Sequence, residues 1–444
     1  MAGESATLAR FAADFSLDQV PAHVIARARE CLIDTFAIAV RGQKTTWGAL
    51  AIAQARQSQG ACRLIGLSDV RLAAEQAAFA NGLLAHALEL DSLRKPGAGV
   101  HPGAIVVAAA LAAGQERGAS GRALLEAIIA GFEVMMRIGA STLHSAEPRG
   151  FHAPGLTGPF GAAVAAGKIY GLDADKMNSA FGLALSLSAG LMQFAYEGQG
   201  AMVKRLHIGR AAQNGVFAAQ MAERGYEGPH ESLEGKRGFL ATFCGKQDLA
   251  KLTAGLGEDF ETLKICLKRY PCHITAHTAI YAAESWQRDL GLKAAQVAKI
   301  IVHGTSRMAE LNGNQAPTDP ALANYSIPFS LACALTGNAA DPASFDPSKL
   351  QDASIMALAR KISVVSDGRE SHSDWMTRSV LTLTDGRVLE QEMAEFPGTP
   401  GMPLTPVQLR ERFDIMTRDY SGDAHEIFMR LLKIEDEPQI DWLC

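Results

Sequence analysis

Charge of one sign, paired cysteines and membrane-length apolar runs are all scarce in this 444-residue chain, and each scarcity removes a class of function. Its 42 basic and 47 acidic residues leave a net charge of −5 with no basic block. That argues against a nucleic-acid surface, which needs clustered Lys and Arg to neutralise phosphates. The seven cysteines (Cys31, Cys62, Cys244, Cys266, Cys272, Cys333, Cys444) are odd in number and scattered, without a CxxC pair. Neither a disulfide framework nor a zinc ribbon is expected; reduced, buried thiols in a cytoplasmic protein fit best. The N-terminal MAGESATLARFAADFSL has no basic segment leading into an apolar one, so no signal peptide is expected. The Ala/Gly-rich run after His101 falls short of the about 20 apolar residues of a membrane span. No GxSxG elbow, HExxH pair, dinucleotide fingerprint or P-loop occurs.

What is present is a large apolar fraction, 48% of the residues, and helical periodicity over most of the chain. The spacing predicts two helices over 5–41, then helices at 47–59, 71–90, 103–116, 120–141, 157–170, 174–194, 206–224 and near 258–266. Asp34 falls among apolar neighbours and is expected to have a partner inside the bundle. The texture changes near 268–273. A helix at 275–290 precedes a strand at 297–303, helices around 326–336 and 352–361, and a strand at 362–366. Asp385-Gly386 then marks a hairpin of 377–383 and 387–393. A Pro/Gly linker leads to a helical tail, 405–433, expected to dock back on the first block.

Four segments carry side chains for chemistry. The first joins two apolar helices and runs from His86 to Ala104, with Asp91, Arg94, Lys95 and His101 around a Gly/Pro break. A carboxylate and an imidazole held together can tune each other and share proton transfer. The second, Arg149 to Gly161, places His152 before a GxxGxxG turn, a spacing that suits close helix packing better than a nucleotide loop. The third opens a helix with Lys204, Arg205, His207 and Arg210, where an anion would be attracted. The fourth holds Lys268, Arg269, His273 and His277. Its histidines have metal-ligand spacing, but a third ligand is not evident nearby.

Together these segments resemble the MmgE/PrpD family. The resemblance rests on HALELD and HPGA within 86–104, GFHAPGLTGPFGAA at 150–163, KRLHIGRAAQNG at 204–215, KRYPCHITAH at 268–277 and YSIPFSLACAL at 325–335. It implies a mainly α protein: a large all-α domain of residues 1–268 completed by 402–444, and a smaller α+β lid domain of 269–401. It also implies a homodimer without metal or organic cofactor, acting on a small di- or tricarboxylate.

The family chemistry is proton transfer beside a carboxylate. By this resemblance His101 moves the proton, Asp91 tunes it, and His152 or His273 is the partner acid. Lys204 and Lys268, with Arg94 or Arg205, grip carboxylates; His277 competes with His273 for the position facing the pocket. The run Ser92-Leu-Arg94-Lys95 departs from the family pattern and is expected to choose the substrate. The first expectation is a lyase of the 2-methylcitrate dehydratase type, and the nearest alternatives are a cis-aconitate decarboxylase or an iminodisuccinate epimerase. A metal-dependent hydrolase and a non-catalytic helical binding protein are the remote ones.

Overall fold

Small side chains set the spacing of the helical body. In the computed structural model, which describes residues 3–196, 202–369 and 375–444, the helix Ala153–Tyr170 lies between Gly121–Ser141 and Val203–Glu223. A Cβ added at Gly158 would stand 2.7 Å from that of Ala211, and one at Gly161 would stand 2.7 Å from that of Met135. The glycine-spaced motif is therefore a packing device.

One apolar core runs from Leu8 to Leu267 and takes in Leu404 to Leu443. The late segment is fastened by charge as well as by packing. Buried Asp34, on the helix Ala22–Gly42, pairs with Arg412 of the helix Pro406–Thr417. The Arg412 guanidinium also donates to the Leu90 carbonyl at 3.2 Å and the Arg269 carbonyl at 3.5 Å. A second core, from Tyr270 to Leu383, packs the helices His277–Leu290 and Ile327–Thr336 against a four-stranded sheet. Its order is Ile362–Ser366, Val297–Gly304, Thr377–Leu383, Val388–Met393. The first pair is parallel and the others antiparallel. Gly386, at φ +90°, turns the expected hairpin. The fold is thus mainly α with a small α+β region.

Three stretches differ from the sequence expectation. The helix expected over 71–90 spans only Ala74–Ala85, because Cys62–Leu64 and Leu67–Leu72 form a short hairpin before it. The helix expected over 174–194 stops at Leu187. Residues near 258–266 form a single 3₁₀ turn, Glu261–Lys264, and a two-residue strand, Ile265–Cys266, paired with Leu93–Arg94. There the buried carboxylate of Glu133 accepts the backbone N–H groups of Glu261 and Thr262 at 2.9 and 2.8 Å, meeting needs that a helix would otherwise have met. All seven cysteines are buried and unpaired. Among the described residues no helix is long and apolar enough to cross a membrane.

Candidate active site

The irregular joint between the first apolar helices is fully buried at its centre. The helix Ala74–Ala85 ends at His86, and Glu89 adopts φ +55°, a left-handed conformation that a non-glycine residue takes only when its surroundings fix it. The chain re-enters helix through wide π turns at Gly103–Val107, a distortion common at functional sites. Gly103 cannot carry a side chain: a Cβ there would lie 2.6 Å from Thr35 Oγ1 and 2.7 Å from Ser92 Oγ. Ser92 Oγ instead accepts the Gly103 N–H at 3.0 Å.

This turn brings two imidazoles to one carboxylate. His86 Nδ1 donates to Asp91 Oδ1 at 2.7 Å, and His101 Nδ1 donates to Asp91 Oδ2 at 2.8 Å. Burial alone would raise the Asp91 carboxyl, but the two imidazoles outweigh it and hold the group well below the usual carboxylate range. Burial disfavours a charged His86 more than Asp91 favours it, and its pKa falls from 6.5 to about 4. An unfolded chain binds a proton on this histidine as the pH drops below 6.5, whereas the fold resists it until about 4. Stability is therefore full above the higher value and falls between the two, by roughly 3 kcal/mol from His86 alone. His152, His273 and His277 are displaced in the same direction, each chiefly by burial. The urea unfolding midpoint should drop as the pH is lowered from neutral towards 4; a flat profile would mean these rings are charged in the fold.

Glu89 gathers the two lysines that the sequence assigns to substrate. Its Oε2 accepts Lys204 Nζ at 2.6 Å, its Oε1 accepts Lys268 Nζ at 2.9 Å, and its carbonyl accepts Lys268 again at 3.0 Å. Burial would raise the Glu89 carboxyl, yet the two ammonium groups hold it well below its ordinary value. Glu89 also stands 3.7 Å from His86 Nε2, so the lysines, Glu89, His86, Asp91 and His101 form one buried charge network. Apart from the imidazoles, its two cations and two carboxylates balance.

The network opens on a cavity of about 110 Å³ between the two cores, lined by Glu89, His101, His152, Lys204, Lys268 and His273. With Nδ1 committed to Asp91, His101 has Nε2 left for the cavity. His152 precedes the first turn of the Ala153–Tyr170 helix, and its Nδ1 lies 3.0 Å from that of His207. His273 stacks on Tyr325 with ring centres 4.6 Å apart. Arg94 reaches the cavity while bound to Glu261, and Arg307 reaches it from the second core while bound to Glu147 at 2.9 Å. Each lysine and arginine lining the cavity thus already has a carboxylate partner.

Three sequence-assigned cations or histidines lie elsewhere. His277 is fully buried outside the cavity: its Nε2 accepts the Tyr270 N–H at 3.3 Å and its ring packs on Phe396. The choice between the two histidines falls to His273, because the helix that begins at His277 turns that side chain into the core. Lys95 turns away to Glu395 and the Ala394 carbonyl, and Arg205 faces a different cavity. Sequence reasoning gave no role to His86, Glu89, Arg307 or Tyr325, and named His207 only as part of the third segment. His86 and Glu89 lay inside the quoted HALELD motif, but their partners are far along the chain or hidden by the turn. His86, Asp91 and His101 have the composition of a metal site. Their N–O separations of 2.7 and 2.8 Å are those of hydrogen bonds; two ligands of a tetrahedral zinc stand about 3.3 Å apart. The arrangement is that of two imidazoles hydrogen-bonded to one carboxylate.

Two family models and several known proteins match this chain. The model of the MmgE/PrpD N-terminal domain matches residues 6–252, and that of the MmgE/PrpD C-terminal domain matches residues 270–433. A cis-aconitate decarboxylase of Aspergillus terreus (strain NIH 2624 / FGSC A1156) is 34% identical over 302 residues, 64% of this chain and 60% of that protein. The cis-aconitate decarboxylase of Homo sapiens is 28% identical over 435 residues, 93% of this chain and 88% of that protein. The Mus musculus protein of the same name is 25% identical over 434 residues, 93% and 87% of the two chains.

Proposed function

The chain belongs to the MmgE/PrpD family, and from that premise we propose that it is a lyase that decarboxylates cis-aconitate or a closely similar unsaturated polycarboxylate. The observation that carries this reading is the Asp91–His101 pair at 2.8 Å, presented to a cavity that also holds Lys204 and Lys268. The relatives favour decarboxylation over the dehydration expected first, since those compared are cis-aconitate decarboxylases.

The chemistry needs one proton and a place for negative charge. In a β,γ-unsaturated acid the bond to the departing carboxylate breaks and its electron pair forms a new terminal double bond. The old double bond moves its pair to the carbon beside another carboxylate. That carbon takes a proton and CO₂ leaves. His101 Nε2 is the donor in this reading, and ionised Asp91 stabilises the imidazolium that donates. The substrate itself supplies the proton's driving force. Because the cavity's cations are already compensated, incoming carboxylates leave a negative excess that an imidazolium donor offsets. Lys204 and Lys268 then steady the charge that develops as CO₂ departs. Residues 269–401, carrying His273, Arg307 and Tyr325, act as the lid over the cavity.

The test is turnover of cis-aconitate, 2-methylcitrate and iminodisuccinate by the purified protein. The expected result is CO₂ release from the first alone. Water loss from 2-methylcitrate without CO₂ would overturn decarboxylation in favour of dehydration, and inversion of iminodisuccinate would favour epimerisation.

A further inference from the structure

Behind the catalytic wall lies a second and larger cavity, about 540 Å³. The same stretches of chain serve both. Lys204 lines the catalytic cavity and Arg205 this one; Glu89 and Leu88 divide in the same way, as do Tyr325 and Asn324. Much of the lining is apolar, including Leu88, Pro271, Phe345 and Pro347. Its cations are Arg41, Lys44 and Arg205. Arg41 is engaged by Asp419. The acids in the lining are in use as helix caps: Asp319 accepts the N–H groups of Ala321 and Leu322, and Asp346 accepts that of Ser348.

Arg205 is the unusual member. It is 3% exposed, its guanidinium lies 4.8 Å from the centre of the Trp47 ring, and its Nε is buried without a hydrogen-bond partner. Among the described residues the carboxylate whose charge Arg205 is shown to act on is Glu89, and both Glu89 oxygens are already taken by Lys204 and Lys268. A buried charge without an anion is costly, and a guanidinium edge is shaped for a carboxylate or phosphate.

We propose that this cavity binds an organic anion with an apolar body, its carboxylate or phosphate head on Arg205 and Lys44 and its body along the Phe345 and proline wall. A small polycarboxylate has no apolar body to lay along that wall, so the proposed ligand is of a different class from the substrate. The occupant would brace the segments that carry Glu89 and His273 from behind without entering the catalytic cavity.

Calorimetric titration of the full chain tests this with octanoate and octyl phosphate, against octanol and acetate as body-only and head-only controls. One of the two amphiphilic anions should bind more tightly than both controls, and the tighter one identifies the head group. Arg205→Gln should weaken it about tenfold or more. Lys44→Ala, an exposed change that leaves the fold in place, should weaken it several-fold. The inference is overturned if neither anion binds, if octanol binds as well, if Lys44→Ala and a folded Arg205→Gln both bind unchanged, or if the anion competes with substrate.

Discussion

His101→Ala is expected to lower turnover at least about a hundredfold while the protein keeps its unfolding midpoint within a small margin. The ring lines the cavity and is attached to the fold by a single hydrogen bond, to Asp91 at 2.8 Å. On the proposed mechanism its removal takes the proton donor from the reaction, but it leaves Asp91 still paired with His86 at 2.7 Å. Asp91→Asn is the sharper companion. An amide placed between two imidazoles cannot accept from both, so one ring must flip its tautomer or lose its anchor. Turnover should fall by a comparable factor. A His101→Ala protein that keeps more than about a tenth of the parent turnover would move the proton transfer to His152 or His273, since a positioned acid is typically worth 10²–10⁴.

The second large effect is on stability. Glu89→Ala should lower the free energy of unfolding by about 3–5 kcal/mol, because it leaves buried charges without their counter-ion. Lys204 and Lys268 are 3% and 1% exposed, and Glu89 is their shared carboxylate. Burial already depresses Lys204 despite that partner. The same substitution in a background with Lys268→Met should cost much less, since only one ammonium then lacks a partner. Urea unfolding of the single and double variants measures this. A Glu89→Ala loss below about 1 kcal/mol would mean that solvent, and not Glu89, compensates the lysines.

The parts of the molecule legible in the sequence are those specified locally. Asp385-Gly386 announces its hairpin because only certain residues accept the turn, and the His86 to Ala104 joint stands out because polar residues interrupt two apolar helices. The glycines after His152 could be read as packing because a nucleotide loop needs a different spacing. What stayed hidden depends on distant chain. Nothing near Glu89 in sequence says that it will meet Lys204 and Lys268, and the 3₁₀ turn at Glu261 exists because Glu133 reaches its backbone. The short hairpin at 62–72 was obscured because its second strand, Leu67–Leu72, exposes three of its six residues and gives little apolar signal. Arg94 and Lys95 were expected to select the substrate, yet both are tied to acids, Glu261 and Glu395, that no local pattern connects to them.

Arg412 has a consequence for the order in which the protein becomes competent. A ribosome delivers Asp34, Leu90 and Asp91 long before Arg412 has been translated, and nascent helical segments collapse as they emerge. Until then Asp34 lacks its counter-ion, and the Leu90 carbonyl, one residue from Asp91, lacks a donor that the finished fold supplies. The joint is encoded in the first quarter of the chain but braced from its last tenth, so a chain released before Arg412 should fold without that brace.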